Sequence, residues 1–210
     1  AGLESDRFTY DPGDPTPAPD YYFKTEEQEK RDREKGIDTQ EEKKRVQAFH
    51  ERVTAERSDI LVFQSEPLAE PLTICGPVSA VLHAASSALD TDWHVSLMDV
   101  DPQGQITPLC RGTIRARFRH SLSKPELLEK DQVVEYTLDL WHTGTMFQKG
   151  HRVRVEVASA LFPLFSRNLN TGGHNEKETK YQKAVQRIYH SAKYPSHILL
   201  PVIPGEGKAP

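Results

Sequence analysis

The sequence predicts an all-β fold: an antiparallel sandwich of two sheets of the jelly-roll type, with an N-terminal Pro-rich strap and a charged helical insertion. Two observations predict the sandwich. From residue 59 onward, apolar and polar residues alternate with the period of two that is typical of strands. Most stretches between these runs are too short for the crossover helices that parallel strands need, which disfavours an α/β fold.

Residues 1–23 are predicted to form an extended strap. Prolines recur through "YDPGDPTPAP" (10–19), and each proline fixes φ and lacks an amide donor. We therefore expect polyproline-like chain over residues 1–20, rather than sheet or helix. This strap either lies across a surface or leaves a preceding domain.

Residues 24–58 are predicted to be a charged helical insertion, broken or kinked near Gly36. The first half has no apolar residue and is expected to be solvated. In the second half, Val46, Phe49 and Val53 fall at i, i+3 and i+7. This narrow apolar stripe is enough to dock the helix on a neighbouring surface, but it cannot build a core.

Residues 59–204 are predicted to form the jelly-roll domain, followed by a flexible tail at 205–210. Runs such as "RVRVEV" and "TIRARFR" alternate charged with apolar residues, as in a strand with one wet face and one buried face. The candidate strands are 60–65, 72–76, 78–86, 93–101, 112–120, 133–141, 151–159 and 196–203.

Composition argues against several classes of partner. A net charge of −4 over 210 residues gives no electrostatic footprint for nucleic acid. No apolar run approaches the ~18–20 residues that cross a bilayer. The N-terminus has neither the basic nor the apolar region of a signal peptide. We therefore expect neither nucleic acid nor a membrane as a partner.

Motifs for catalysis are absent from the sequence. The G-x-S-x-G pentapeptide of α/β-hydrolases does not occur, and neither does a Gly-rich phosphate loop or H-E-x-x-H. We therefore predict no catalytic residue and no cofactor in this chain. Cys75 and Cys110 each lie in an apolar run, so two buried thiols are expected rather than a disulfide.

Histidines and acidic pairs are the candidate metal ligands in the sequence. His83, His94, His120 and His151 lie on separate predicted strands, so no metal site is expected from them. The acidic residues of "ALDTDW" and "LMDVDPQG" are expected to cap turns through backbone N–H groups; they are Asp90, Asp92, Asp99 and Asp101. Calcium binding is the alternative for the first pair.

The stretch "ALFPLFSRNLNTGG" (160–173) directly follows a predicted strand and is the strongest candidate for a contact site. Phe162 and Phe165 can plug one end of a sandwich, and a proline stops the strand between them. Arg167, Asn168 and Asn170 supply hydrogen-bond donors and acceptors. Two interpretations stay open: the loop folds against its own sandwich, or it forms a rim that contacts another domain or a ligand.

The chain resembles the C-terminal, non-catalytic domain of X-Pro dipeptidyl-peptidase-like serine hydrolases, a group with cocaine esterase, α-amino-acid ester hydrolases and glutaryl-cephalosporin acylases. The resemblance extends from Arg7 to Pro204, apart from the charged helix. The blocks that carry it are "YDPGDPTP" (10–17), "DILVFQSEPL" (59–68), "GPVSAVLHAASSALDTDWHVSLMDVDPQG" (76–104), "GTIRARFRHSL" (112–122), "YTLDLWHTGTMFQKGHRVRVEVASALFPLFSRNLNTGG" (136–173) and "IYHSAKYPSHILLPVIP" (188–204).

This resemblance implies a galactose-binding-domain-like jelly-roll that follows a missing hydrolase domain. An α/β-hydrolase domain with a Ser-His-Asp triad and a helical cap domain are the implied partners, and this chain alone is expected to be inactive. Its implied role is to stabilise the hydrolase domain and partly close its active site. Tyr21, Tyr22 and Phe23 match a stretch that lends apolar side chains to the pocket in relatives. Packing of these three on the sandwich itself is the alternative.

Two other functions stay open from the sequence. A free-standing carbohydrate-binding module would need exposed aromatic platforms, and Trp93 and Trp141 both lie in strand-like contexts. A homo-oligomer formed through the helix is the other, although its apolar stripe is short for a coiled coil, which needs ~3–4 heptads.

Overall fold

A computed structural model describes residues 5–18, 27, 30, 31, 34 and 39–204. These residues include ten strands and a helix, which are β1 (Ser5–Tyr10), α1 (Thr39–Glu56), β2 (Ile60–Gln64), β3 (Leu72–Ser86), β4 (Asp92–Val100), β5 (Ile106–Arg115), β6 (Val134–Phe147), β7 (Arg152–Ala158), β8 (Ala184–Ser191), β9 (Tyr194–Pro195) and β10 (His197–Leu199). The predicted tail at 205–210 and the predicted kink at Gly36 lie outside the described residues. No helix among the described residues is long and apolar enough to cross a membrane.

The strands form two antiparallel sheets. In the first sheet, β3 is central: β6 pairs along one side of it, and β8 and β10 pair along the other, with β1 beyond β8. The second sheet has the order β2-β7-β4-β5. The predicted antiparallel all-β architecture is confirmed at this level.

One hydrophobic core collects side chains from both sheets. Ile74, Val78 and Leu138 of the first sheet join Trp93 and Leu97 of the second, and each is at most 2% exposed. Alternate positions along each strand point into this core, since successive side chains of a strand face opposite sides of the sheet. The core therefore lies between the sheets, as the period of two predicts.

Strand boundaries differ from the predicted ones where local structure interrupts or extends the pairing. The predicted strands 72–76 and 78–86 are one strand, β3, with a register shift between Pro77 and Ser79. The predicted strand 112–120 ends early, because Ala116–Phe118 forms a 3-10 turn. The strand predicted at 133–141 continues to Phe147.

Three strands were not predicted: β1, β8 and the two-residue β9, which pairs with β8. The expectation of no sheet within residues 1–20 is wrong for Ser5–Tyr10, which pairs with Ala184–Ser191 from Ser5–Tyr189 to Tyr10–Ala184. The prolines begin only after Tyr10, so β1 keeps the amide donors that pairing needs. β8 escaped prediction because a polar residue, Gln186, takes one of its fully buried positions.

The helix α1 docks on the second sheet through the predicted stripe. Val46, Phe49 and Val53 are buried at 6%, 7% and 4% exposure and pack with Ile60 of β2. The amide of Ile106 also donates to Gln47 Oε1 at 3.0 Å. Burial of this stripe supplies the stability that a mostly polar helix lacks by itself.

A buried polar cluster joins the buried face of α1 to β7. His50 is 2% exposed, and its Nδ1 lies 3.3 Å from Glu156 Oε1. Arg154 donates to the same oxygen at 2.6 Å. Burial alone would raise the pKa of Glu156, but the hydrogen bond with His50 and the charge of Arg154 lower it below its ordinary value.

The strap beyond β1 is fastened to the start of β2. Arg57 donates to the Asp59 carboxylate from Nε and Nη2, both at 2.7 Å. Its Nη1 donates to Asp14 Oδ1 at 3.0 Å. The hydroxyl of Thr16 donates to Asp59 Oδ2 at 2.7 Å. The strap therefore lies across a surface of the chain, which was one of the two expected arrangements.

Two residues are more exposed than the sequence indicates. Cys75 is exposed on the outer side of β3, so the expectation of two buried thiols is wrong for it; Cys110 is half-buried, and both thiols are free. Trp141 is 72% exposed with a φ of 68°, at an irregularity of β6, whereas Trp93 is fully buried.

Candidate functional site

The segment 160–173, here called the aromatic loop, is joined to the strap by backbone hydrogen bonds. The amide of Phe162 donates to the carbonyl of Thr16 at 2.9 Å, and the amide of Ala18 donates to the carbonyl of Phe162 at 2.7 Å. Arg167 Nη1 adds a bond to the carbonyl of Pro12 at 2.7 Å. The strap and the aromatic loop therefore form one ordered surface at this end of the sheets.

Two of the predicted site residues, Asn168 and Asn170, are 0% exposed. Asn168 Nδ2 donates to Asp90 Oδ2 at 2.7 Å and to Asp92 Oδ1 at 2.9 Å. Asn170 Nδ2 donates to the carbonyl of Gln182 at 2.8 Å. These amides therefore hold the loop from inside the chain.

The two acidic residues under the loop each face an arginine. Arg117 binds Asp90 through its backbone amide at 2.9 Å and its Nε at 2.7 Å. Arg115 binds Asp92 through Nε at 2.9 Å and Nη2 at 3.1 Å. Such paired contacts are the strong form of an ion pair, because both partners are charged and geometrically matched.

These pairs correct the turn-cap expectation for Asp90 and Asp92. Asp92 binds Arg115 at the end of β5, Asp90 binds Arg117 in the 3-10 turn that follows, and both accept from Asn168 of the aromatic loop. Asp101 does cap its own turn, accepting from the amides of Gln103 and Gln105 at 2.8 Å each. Asp99 instead lies 2.9 Å from His151 Nδ1. Among the described residues, no group of three His, Cys, Asp or Glu side chains is placed to hold a metal ion.

Most of the exposed residues of the aromatic loop are apolar. Phe162, Leu164 and Phe165 are 43%, 37% and 37% exposed, and Leu122, from the segment after β5, is 90% exposed. Leu122, Phe165 and Arg115 are among the residues that line an open pocket of about 310 Å³. We call these four side chains the apolar rim.

The inner side of Phe165 covers a buried histidine. The ring of His94 lies 5.2 Å from the ring of Phe165, centroid to centroid, and His94 is 2% exposed. Burial, together with the charges of Arg111 and Arg115, lowers the pKa of His94 to about 3. His94 is therefore an uncharged residue that packs beneath Phe165 of the rim. Its Nδ1 shares a 2.8 Å hydrogen bond with Thr113 Oγ1.

The structure adds residues to the predicted site and leaves three unplaced. Leu122 and Leu164 were not predicted, since a single exposed leucine carries no sequence signal. Arg115 was assigned only to the wet face of a strand by the alternation in "TIRARFR". Tyr21, Tyr22 and Phe23 lie outside the described residues.

Comparison with known proteins gives consistent matches over most of the chain. The family model described as X-Pro dipeptidyl-peptidase C-terminal non-catalytic domain matches residues 9–199. Cocaine esterase of Rhodococcus sp. (strain MB1 Bresler) is 41% identical over 150 residues, which are 70% of this chain and 26% of that protein.

Two solved structures are similar over nearly the whole chain. An aminopeptidase from the marine sediment archaeon Thaumarchaeota archaeon has a TM-score of 0.76 and 29% identity, covering 97% of this chain and 34% of that one. An α-amino acid ester hydrolase has a TM-score of 0.76 and 33% identity, covering 97% and 33%. The chain thus spans a quarter to a third of these relatives, and the matches do not favour the carbohydrate-binding alternative.

Proposed function

Because the chain belongs to the family of X-Pro dipeptidyl-peptidase C-terminal non-catalytic domains, we propose that it is the accessory jelly-roll domain of a multidomain serine hydrolase. In this proposal the apolar rim contacts the α/β-hydrolase domain, stabilises it and closes one side of its active site. Two antiparallel sheets with a shared core support the jelly-roll assignment.

The observation that carries the proposal is the contrast between the surface and the base of the aromatic loop. Three bulky apolar side chains are exposed on it, while the amides of Asn168 and Asn170 fix the same loop from inside. A mobile loop would lose conformational entropy on docking, whereas a fixed apolar rim is already arranged for contact. Exposed apolar clusters of this kind mark interaction surfaces.

In this proposal the hydrolase domain and the accessory domain have different roles in the reaction. The nucleophilic serine, its histidine and the oxyanion donors would belong to the hydrolase domain. The rim would exclude water from one side of the pocket and hold the neighbouring domain in position. Exclusion of water strengthens the electrostatic interactions that stabilise a developing oxyanion.

The test compares a rim variant with a control variant outside the rim, both in the full multidomain enzyme. Leu122→Ser, combined with Phe165→Ser, removes contacts worth about 1.5–3 kcal/mol for each fully buried side chain. We expect a lower thermal midpoint for the hydrolase domain and a lower kcat/KM. Leu199→Ser is the matched control, because Leu199 is 54% exposed on β10 and lies outside the rim.

An equal effect of Leu199→Ser, or no effect of the rim substitutions, would contradict the contact. A second measurement addresses the assignment of chemistry. The isolated chain should not hydrolyse p-nitrophenyl acetate in a manner that a serine-directed inhibitor abolishes, and inhibitor-sensitive turnover would overturn the accessory role.

A further inference from the structure

A cavity of about 230 Å³ lies between the two sheets and shares no wall residue with the aromatic loop. Its walls come from β2, β4 and β7 of the second sheet and from β3, β8 and β10 of the first. Four of its wall residues are almost fully buried: Ala80, Val95, Val157 and Ile188 are 2%, 0%, 1% and 1% exposed. The cavity therefore reaches into the core between the sheets and opens to the surface at one end.

The volume of this cavity is large for a space that reaches between the two sheets of a packed core. Interiors pack as densely as organic crystals and hold few voids larger than a water molecule. Part of the space follows from the sequence of β3, where Ala80 offers only a methyl group between the larger inward residues Val78 and Leu82. An engineered cavity of about 150 Å³ with aliphatic and aromatic walls binds benzene or xenon. The cavity here exceeds that volume.

Polar groups are confined to the mouth of the cavity, where His190, Ser196 and His197 lie. His190 Nε2 is 3.1 Å from Asp6 Oδ2. His197 Nδ1 is 2.6 Å from the carbonyl of Pro195. Because a carbonyl only accepts, Nδ1 carries the hydrogen, and Nε2 of a neutral ring is left as an acceptor.

These features select the chemistry of a ligand. The apolar walls offer no partner to an ionised group, and burying an unpaired charge costs far more than burying a ring gains. The volume suits one aromatic ring, and a hydroxyl on that ring could remain at the polar mouth. We propose that the cavity is a binding site for a small uncharged aromatic molecule, of the size of benzene or phenol.

Methyl NMR of the full 210-residue chain tests the site, with fluorobenzene and phenol as probes. We expect saturable shifts for the methyl groups of Val95 and Val157, with a Kd on the order of 1 mM or tighter. Val46 and Val53 are the internal control, because they are also buried but belong to α1 and pack in a separate cluster away from the cavity. No saturable shift up to about 10 mM, or equal shifts in both valine pairs, would overturn the proposal.

Ala80→Leu fills the cavity and should weaken probe binding by about 10-fold or more. Ala69→Leu adds the same atoms at an exposed position and should leave the Kd unchanged. Should Ala80→Leu fail to fold, Val155→Ile, which adds one methyl group at a partly buried wall position, should still weaken binding. Unchanged binding in the folded cavity-filling variant would overturn the assignment.

Discussion

The amide of Asn168 donates to the carboxylate of Asp90 at 2.7 Å across a sequence separation of 78 residues, and both side chains are 0% exposed. The same amide reaches Asp92 at 2.9 Å. One side chain from the aromatic loop thus bridges two carboxylates at the start of β4, and this places the loop against the sheets.

Asn168→Ala should lower the free energy of unfolding by about 2–4 kcal/mol, because it leaves two buried carboxylates each short of one hydrogen bond. Urea denaturation monitored by circular dichroism measures the loss. Asn175→Ala is the matched control on a neighbouring segment. Asn175 Oδ1 accepts one bond, from the amide of Leu169 at 3.1 Å, so its loss should be about 0.5–1.5 kcal/mol. Equal losses in the two variants would contradict a bridging role for Asn168.

The aromatic loop shows how far the sequence predicts a site. Its position after β7 and its apolar residues were predicted, because a proline within an aromatic run reliably stops a strand. The sequence did not predict that the loop separates into an exposed apolar rim and buried amide side chains. Asn168 and Asn170 have polar side chains that are usually exposed, and their burial depends on partners such as Asp90, far away in the sequence.

The same physical reason, burial of polar residues with distant partners, explains why the sequence predicted some strands and missed β8. Alternation revealed β4 and β7 because the positions that face the shared core are apolar, such as Val95, Leu97 and Val157. β8 was missed because Gln186 is buried, and its Nε2 donates to Thr91 Oγ1 at 2.6 Å. A buried polar residue satisfied by a distant partner leaves no periodic signal. β1 was missed because the prolines that follow Tyr10 decided the prediction for the whole of residues 1–20.

The stability of the chain should fall in mild acid because of His94. Its folded pKa of about 3 lies below the ordinary value of about 6.5, so below pH 6.5 the unfolded chain binds a proton that the native state does not. Stability is therefore lost as the pH falls from about 6.5 toward 3, by up to about 1.4 kcal/mol per pH unit. His94→Gln cannot titrate, and it should flatten this part of the profile.

The measurement is urea denaturation between pH 7 and pH 4. His120→Gln is the control, because His120 is exposed and should leave the slope unchanged. A profile for His94→Gln as steep as that of the original chain would show that His94 is protonated in the native state.

The two thiols should react at different rates. Cys75 is exposed, whereas burial raises the pKa of Cys110 to about 11. Because the thiolate is the reactive form, Cys110 should be labelled by Ellman's reagent at least about 10-fold more slowly at pH 8. Its rate should increase as the pH rises toward 11. Cys75→Ser should remove the fast phase alone, and two fast phases at pH 8 would contradict the burial of Cys110.

The strap should detach when its clamp is removed. Arg57 contacts Asp59 and Asp14 together, and Asp59 is 6% exposed, so Arg57→Ala leaves a buried carboxylate without its main partner. We expect a loss of about 3–5 kcal/mol in the free energy of unfolding. Limited proteolysis should also cut residues 11–18 faster, because Thr16 and Ala18 would lose their fixed positions beside Phe162. Arg31→Ala is the control: Arg31 forms an exposed pair with Glu27, and exposed pairs contribute little to stability. If Arg57→Ala and Arg31→Ala unfold at the same urea concentration, the clamp does not hold the strap.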